Sequence, residues 1–263
     1  MILDEIAGKT RLRLEKAKKE VPLDVVMEQA EKRKPAPGAE RFPFEKELCS
    51  PGISFICEVK KASPSKGLIA GDFDYRRIAR EYEAAGAAAI SVLTEPDYFL
   101  GDIRYLREIS EEAAVPLLRK DFVIDEYMIY EAKANGASIV LLICSLLKED
   151  VLRRYMEICD SLGMSALTEA HDENEIQKAL SAGARIIGVN NRNLQDFSVD
   201  VHNGIRLREK VPEDILFVAE SGIRTRQDIV ELEQGNVNGV LIGETLMRSE
   251  DKKWMLDELK GGL

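Results

Sequence analysis

A single rhythm limits what this chain can fold into. From Ile53 onward, short apolar, β-branched runs recur eight times, at Ile53–Val59, Ala87–Leu93, Val115–Arg119, Ser138–Cys144, Met164–Glu169, Arg185–Asn190, Ile215–Glu220 and Val237–Gly243. Helical patterns fill the gaps at Tyr75–Ala85, Ile103–Glu112, Glu126–Asn135, Glu149–Leu162, Glu173–Ala182, Val201–Lys210 and Arg226–Gln234, and a last one fits Lys252–Lys260. Several helices run into a glycine just before the next strand, among them Gly183, where a left-handed cap is expected. Asp172 with Glu175, and Thr225 with Asp228, have the spacing of capping boxes. Eight alternating units in about 210 residues predict an α/β chain folded as a (β/α)8 TIM barrel. A doubly wound sheet is the alternative, but no G-x-G-x-x-G follows the first strand and no Walker A motif is present.

The first 48 residues do not share this rhythm. Leu3, Ile6, Ala7, Leu14 and Ala17 have helical spacing, Pro22 opens a second helix over Leu23–Arg33, and Pro35-Ala-Pro37-Gly38 breaks it. The expectation is two helices and a loop. Residues 1–48 form a helical extension, residues 49–263 form the barrel, and the two make one structural domain. The basic runs Lys16–Lys19 and Lys32–Lys34 read as solvated helix faces.

Charge narrows the partners. The 263 residues hold 37 Lys+Arg against 47 Asp+Glu, a net charge of −10. That argues against a nucleic-acid partner, which needs a basic face, and leaves room for a locally positive pocket. No apolar run reaches the roughly 18 residues of a membrane span. The N-terminus is charged from Asp4 and lacks the apolar centre of a signal peptide. Cys49, Cys57, Cys144 and Cys159 form no C-x-x-C pair, and His171 and His202 stand far apart, so no zinc site is expected. Reduced thiols in the cytoplasm are the simplest expectation.

Buried parallel strands should be almost wholly apolar, so charges at their C-terminal ends carry information. In a barrel those ends form the active-site face. The first strand ends with Glu58 and Lys60, the third with Lys120, Asp121 and Phe122, the fifth with Glu169, the sixth with Asn190 and Arg192, the seventh with Glu220, Ser221 and Gly222, the eighth with Gly243 and Glu244. Glu58 and Lys60 are two apart and share a face. If Ile56 points into the barrel, both do. Two readings stay open there, an internal salt bridge or part of a site, and Lys120 beside Asp121 could be a surface pair. Recurrence of polar groups at one end of at least five strands favours a site. Gly222 and Gly243 fall in the two loops where many barrels take phosphate. Glu244 sits awkwardly there, since its carboxylate would have to turn away. The loop from Lys61 to Leu68, with Ser63, is long enough to close over a ligand or to be a plain surface loop. Phe99 and Phe122 would line an aromatic pocket or pack on the rim. A lysine in an apolar mouth near another lysine is expected to have a lowered pKa.

Glu58-Val-Lys60-Lys-Ala-Ser63-Pro-Ser65, Leu93-Thr94-Glu95 with Phe99 and Gly101, Leu118-Arg-Lys120-Asp121-Phe122, Glu169-Ala-His-Asp172-Glu-Asn, Gly188-Val-Asn190-Asn-Arg192-Asn-Leu194 and Glu220-Ser221-Gly222-Ile223 span nearly the whole chain. As a set they resemble the indole-3-glycerol phosphate synthase family. The resemblance implies a carbon–carbon lyase of tryptophan biosynthesis. Its substrate would be 1-(2-carboxyphenylamino)-1-deoxy-D-ribulose 5-phosphate, and its products indole-3-glycerol phosphate, carbon dioxide and water. It implies no metal and no organic cofactor. It makes Lys120 the general acid and Glu169 the base, with Lys60, Glu58, Asn190, Glu220 and Ser221 completing the catalytic set. Ser63, Phe99, Phe122, Arg192, Gly222, Gly243 and Glu244 would contact substrate or phosphate. A monomer is expected, with weak association with other enzymes of the pathway.

Three alternatives have distinct signatures. A strand-end lysine can form a Schiff base, as in class I aldolases. Phosphoribosylanthranilate isomerase shares the fold but uses a cysteine and an aspartate. A barrel that binds a sugar phosphate without turnover is the third.

Overall fold

The computed structural model describes residues 2–35, 38–193 and 197–262. Ala36, Pro37 and Leu194, named in the sequence patterns above, lie outside the described residues.

In chain order the elements are α1 (Ile2–Glu20), α2 (Leu23–Glu31), α3 (Pro43–Leu48), β1 (Ser54–Val59), β2 (Ala62–Ser63), β3 (Gly67–Leu68), α4 (Tyr75–Ala84), β4 (Ala89–Leu93), α5 (Ile103–Ser110), β5 (Leu117–Lys120), α6 (Glu126–Ala134), β6 (Ile139–Ile143), α7 (Glu149–Ser161), β7 (Ser165–Ala170), α8 (Glu173–Ala182), β8 (Ile186–Asn190), α9 (His202–Arg208), β9 (Leu216–Glu220), α10 (Arg226–Gln234), β10 (Gly239–Ile242), α11 (Glu244–Arg248) and α12 (Lys252–Lys260). Eight strands close into a barrel in the order β1-β10-β9-β8-β7-β6-β5-β4, and each neighbouring pair is parallel. This is the (β/α)8 barrel the rhythm predicts. β2 and β3 form a small antiparallel hairpin in the loop after β1.

Alternation along the strands divides the core in two. Inward residues, among them Ile56, Ala89, Leu118, Ile139, Leu141, Leu167, Ile186, Val218 and Leu241, fill the barrel. Outward residues such as Cys57, Ile90, Val140, Ile187 and Val240 pack under the helices. Register holds the inner layers together, since Ile56 pairs with Leu241 on one side and Ala89 on the other.

Helix starts follow local chemistry. Asp74, Asp102, Asp125, Asp172 and Asp251 each accept a backbone N–H at an N-cap. Thr225 and Asp228 make a reciprocal capping box. At α8 only half of the box forms: Asp172 accepts from Glu175 N, while the Glu175 carboxylate turns back to His171. Gly183 ends α8 in the left-handed region, φ 93°.

The extension differs from its expected form. It holds three helices, because Pro43 starts α3 where a loop was expected. Phe44 and Leu48, four residues apart and fully buried, enter the inner barrel core from the N-terminal end of the strands. At the other end α1 buries Leu3, Ile6, Ala7 and Thr10, a spacing of three and four that makes one helix face. Arg13 fixes α1 to the loop after β4 through Glu95, 3.0 Å away, and Lys18 fixes it to Asp125 at the start of α6, 2.8 Å away. Among the described residues no helix is long and apolar enough to cross a membrane.

Candidate active site

The inward rows end in polar groups. Two residues beyond Ile56, Leu118, Leu167 and Val218 stand Glu58, Lys120, Glu169 and Glu220. These four come from alternate strands β1, β5, β7 and β9, the arrangement that makes one layer of side chains in a TIM barrel. They therefore meet across the mouth. Lys120 Nζ lies 3.3 Å from Glu169 Oε2 and 3.4 Å from Glu220 Oε2. Lys60 is ion-paired with Glu58. Asn190, at the end of β8, stands beside the Glu169 carboxylate and favours its ionised form, and it accepts from Arg192 N at 3.0 Å.

A cavity of about 570 Å³ opens over this layer. Glu58, Lys60, Ser63, Phe99, Lys120, Phe122, Glu169, Asn190, Arg192, Glu220, Ser221, Gly222, Gly243 and Glu244, the complete set of residues marked out by the sequence, line it. The Phe99 and Phe122 rings are 6.0 Å apart and tilted at 40°. Glu95 places Phe99, because its buried carboxylate accepts Tyr98 N at 2.7 Å and Phe99 N at 3.1 Å. Ser221 (φ 69°) and Gly222 (φ 86°) are consecutive left-handed residues. That turn is open to Gly222 but strained for Ser221, and Asn191 braces it by donating to Ser221 O at 3.1 Å. A side chain at Gly243 would strike Glu58 and come within 2.7 Å of Lys60 Nζ, so this glycine lets the β10 backbone close on that pair.

The Glu244 carboxylate faces two cations that line the same cavity: Arg248 Nε is 3.1 Å away and Lys66 Nζ 3.5 Å. It thus ties the hairpin loop after β1 to α11. Burial opposes its charge, but these two cations hold its pKa below the usual carboxylate value. Lys66, from the loop marked as long enough to close over a ligand, also lines the cavity, as do Arg224 and Arg248, with Ile2, Leu3 and Ile6 from α1, which sequence reasoning did not place there. Their signal is tertiary, since only docking of α1 and the loops brings them there.

One alternative and one expectation fail. Asp121 is no surface partner of Lys120. It is buried and pairs with Arg119 at 3.2 Å, on the outward face of β5, where Arg119 also meets Glu131 at 2.8 Å. Nor is Lys120 a lysine of lowered pKa. Burial pulls it down, but Glu220, Glu169 and then Glu58 outweigh burial and raise it above the ordinary lysine value. A lysine this firmly protonated is a poor Schiff-base nucleophile. Glu169 shows the converse: burial pushes it up, and Lys120 and His171 bring it below the usual range. Glu220 ends high, at about 7, through burial and the neighbouring carboxylates Glu169 and Glu58, with Lys120 opposing. Cys57 faces outward inside β1, and burial lifts its thiol to about 12, which does not suit an acid–base role.

An ion-paired lysine and glutamate at the C-terminal mouth of a closed parallel barrel stand where (β/α)8 enzymes carry their active sites. The family model for indole-3-glycerol phosphate synthase matches residues 3–259. An indole-3-glycerol phosphate synthase from Ruminiclostridium cellulolyticum is 56% identical over 99% of both chains. Another from Endomicrobium trichonymphae is 55% identical, over 99% of this chain and 100% of its own. The chain belongs to the indole-3-glycerol phosphate synthase family. A 3-hexulose-6-phosphate synthase shares the fold at TM-score 0.65 and 11% identity, covering 80% of this chain and all of that one.

Proposed function

We propose that this chain performs its family's ring closure with Lys120 as acid and Glu169 as base. The substrate is 1-(2-carboxyphenylamino)-1-deoxy-D-ribulose 5-phosphate. Its electron-rich ring attacks the ketone carbon, and negative charge develops on the ketone oxygen. Lys120, kept protonated by its carboxylate neighbours, stabilises that charge and then gives up the proton. Loss of carbon dioxide restores the ring. Dehydration then needs a second proton on the leaving oxygen and removal of one from carbon, and Glu169, kept ionised, takes the latter. Environments that push two neighbouring groups to opposite protonation states sort acid from base. The observation that carries this reading is the 3.3 Å contact of Lys120 with Glu169.

Lys60, oriented by Glu58, holds the substrate carboxylate or phosphate. Asn190 and Glu220 steady the reacting groups, and Phe99 and Phe122 take the aromatic ring. Ser63, Ser221, Gly222, Gly243 and Arg192 hold the phosphate and sugar. Because Phe44 and Leu48 sit in the barrel's inner core, we infer that residues 1–48 and 49–263 work as one structural domain. The chain acts as a cytoplasmic monomer, in weak association with other enzymes of its pathway. The test mixes purified protein with the substrate and follows indole fluorescence. A folded protein that stays silent would sink the reading.

A further inference from the structure

The two oxygens of Glu169 face different partners. Oε2 meets Lys120, and Oε1 lies 3.6 Å from Nε2 of His171. That nitrogen is buried and has no hydrogen-bond partner, an orphan aimed at the back of the carboxylate. The other ring nitrogen, Nδ1, lies 3.1 Å from Glu175 Oε2 in the first turn of α8, and the same oxygen accepts His171 N at 2.8 Å. The outer two members of the row reach solvent and the inner one does not: the side chains of Glu175 and His171 are 19% and 20% exposed, that of Glu169 is 3%. His171 is not among the described residues lining the cavity, so contact with substrate does not explain it.

The reaction creates a need for such a row. Two protons go to the former ketone oxygen, which leaves as water, and one is taken from carbon. The ionised aromatic carboxylate leaves as neutral carbon dioxide. Each turnover therefore takes up one proton from solvent. With substrate in the mouth, the front of the Lys120–Glu169 pair is covered.

We propose that His171, held by Glu175, is a proton relay that recharges the Glu169–Lys120 pair from behind. The inference rests on the reading of Lys120 and Glu169 as acid and base. As imidazolium, His171 breaks its Nε2–H bond, and an O–H bond forms at Glu169 Oε1. The carboxyl group then turns so that the protonated oxygen meets Lys120, its O–H bond breaks, and an N–H bond forms on the amine. The neutral ring keeps Nδ1–H on Glu175 and can be recharged only at Nε2; it turns about Cβ–Cγ to bring that bare nitrogen to solvent, an N–H bond forms there, and it turns back. The charged groups facing the ring suit this work: burial pulls its pKa down, but Glu175, Glu169 and Glu220 raise it above the ordinary histidine value. An imidazole so placed is the usual proton carrier near neutral pH.

Indole fluorescence is followed at saturating substrate from pH 6 to 9 for the parent and for His171→Gln, His171→Ala and Glu175→Gln. For both His171 variants a fall in kcat of about tenfold or more is expected, steeper at high pH, with KM little changed. Added imidazole restores His171→Ala in proportion to its protonated fraction, whereas pyrazole, alike in shape but unprotonated, does not. Glu175→Gln keeps the ring in place, shows the same loss steepening with pH, and serves if the His171 variants do not fold. Parental kcat in His171→Gln, a loss confined to KM, or equal rescue by pyrazole overturns the relay and leaves the acid–base assignment standing. A silent parent overturns that assignment, and the relay with it.

Discussion

Gly188 and Glu220 compete for the same space across the β8–β9 pair: a Cβ on Gly188 would fall 2.5 Å from Glu220 Oε1 and 3.1 Å from Leu167. The glycine is thus what lets a buried carboxylate lie against the barrel wall within reach of Lys120. Gly188→Ala should push that carboxylate out of its slot. A misplacement of about 1 Å costs on the order of a hundredfold in rate, and overpacking costs about 1–3 kcal/mol. Indole-fluorescence kinetics and thermal unfolding measure the two effects. Parental kcat in Gly188→Ala would remove Glu220 from the catalytic set.

Lys120→Met and Glu169→Gln should each lower kcat by roughly 10²–10⁴-fold. Because the two groups act as one unit, the double variant should fall little further than the worse single variant. Multiplicative losses would show that they act independently.

That these charged side chains meet at the mouth was legible in the sequence because β-strands alternate. An apolar inward residue followed two positions later by a charge, as in Leu118 then Lys120 or Leu167 then Glu169, marks a strand that leaves the core at the mouth. The eight strands were legible for the same reason, as apolar runs between helical patterns. The short elements were not: α3 has six residues and α11 five, too few for a helical period to show. The sign of the Lys120 shift was hidden too, since it depends on which carboxylates reach across the barrel from β7 and β9. A local reading saw Lys60 and Asp121 as its neighbours. The fold puts Asp121 on Arg119 and gives Lys120 the two glutamates.

Glu220 makes stability depend on pH in an unusual direction. Its carboxyl titrates at about 7 in the folded chain, above the roughly 4.3 of an unfolded glutamate. Between those values the folded state holds a proton that the unfolded state has released. The stabilisation from this group is complete below the lower value and is lost as pH rises through the higher one. Glu220→Gln escapes that loss. Its Tm relative to the parent should climb from about pH 4.5 to 7 and then level off. A difference that stays flat across that range would show that Glu220 titrates normally.

The floor of the barrel should matter more than the outer face of the extension. Phe44 is fully buried among Leu48, Ile56 and Val218, whereas Leu12 on α1 is 62% exposed. Phe44→Ala should cost about 3–5 kcal/mol, against about 0.5 kcal/mol or less for Leu12→Ala. Urea unfolding of the two variants checks this, and similar losses would mean that α3 does not plug the barrel.

Glu244 sets a balance between holding the loop and admitting an anion. It occupies Lys66 and Arg248 in the cavity proposed to take the phosphorylated substrate. Both ion pairs are partly exposed, so their loss should cost stability only about 0–1 kcal/mol. Removing the carboxylate frees two cations for phosphate and takes away one repelling charge. At about 8 Å through solvent that repulsion is worth roughly 0.5 kcal/mol, or about twofold in binding. Glu244→Gln should therefore lower KM two- to threefold in dilute buffer, and the gain should fade near 1 M salt, where screening reaches about 3 Å. If KM instead rises at every salt concentration, the Lys66–Glu244 pair is needed to hold the loop after β1 over the bound substrate, and its order there outweighs the repulsion.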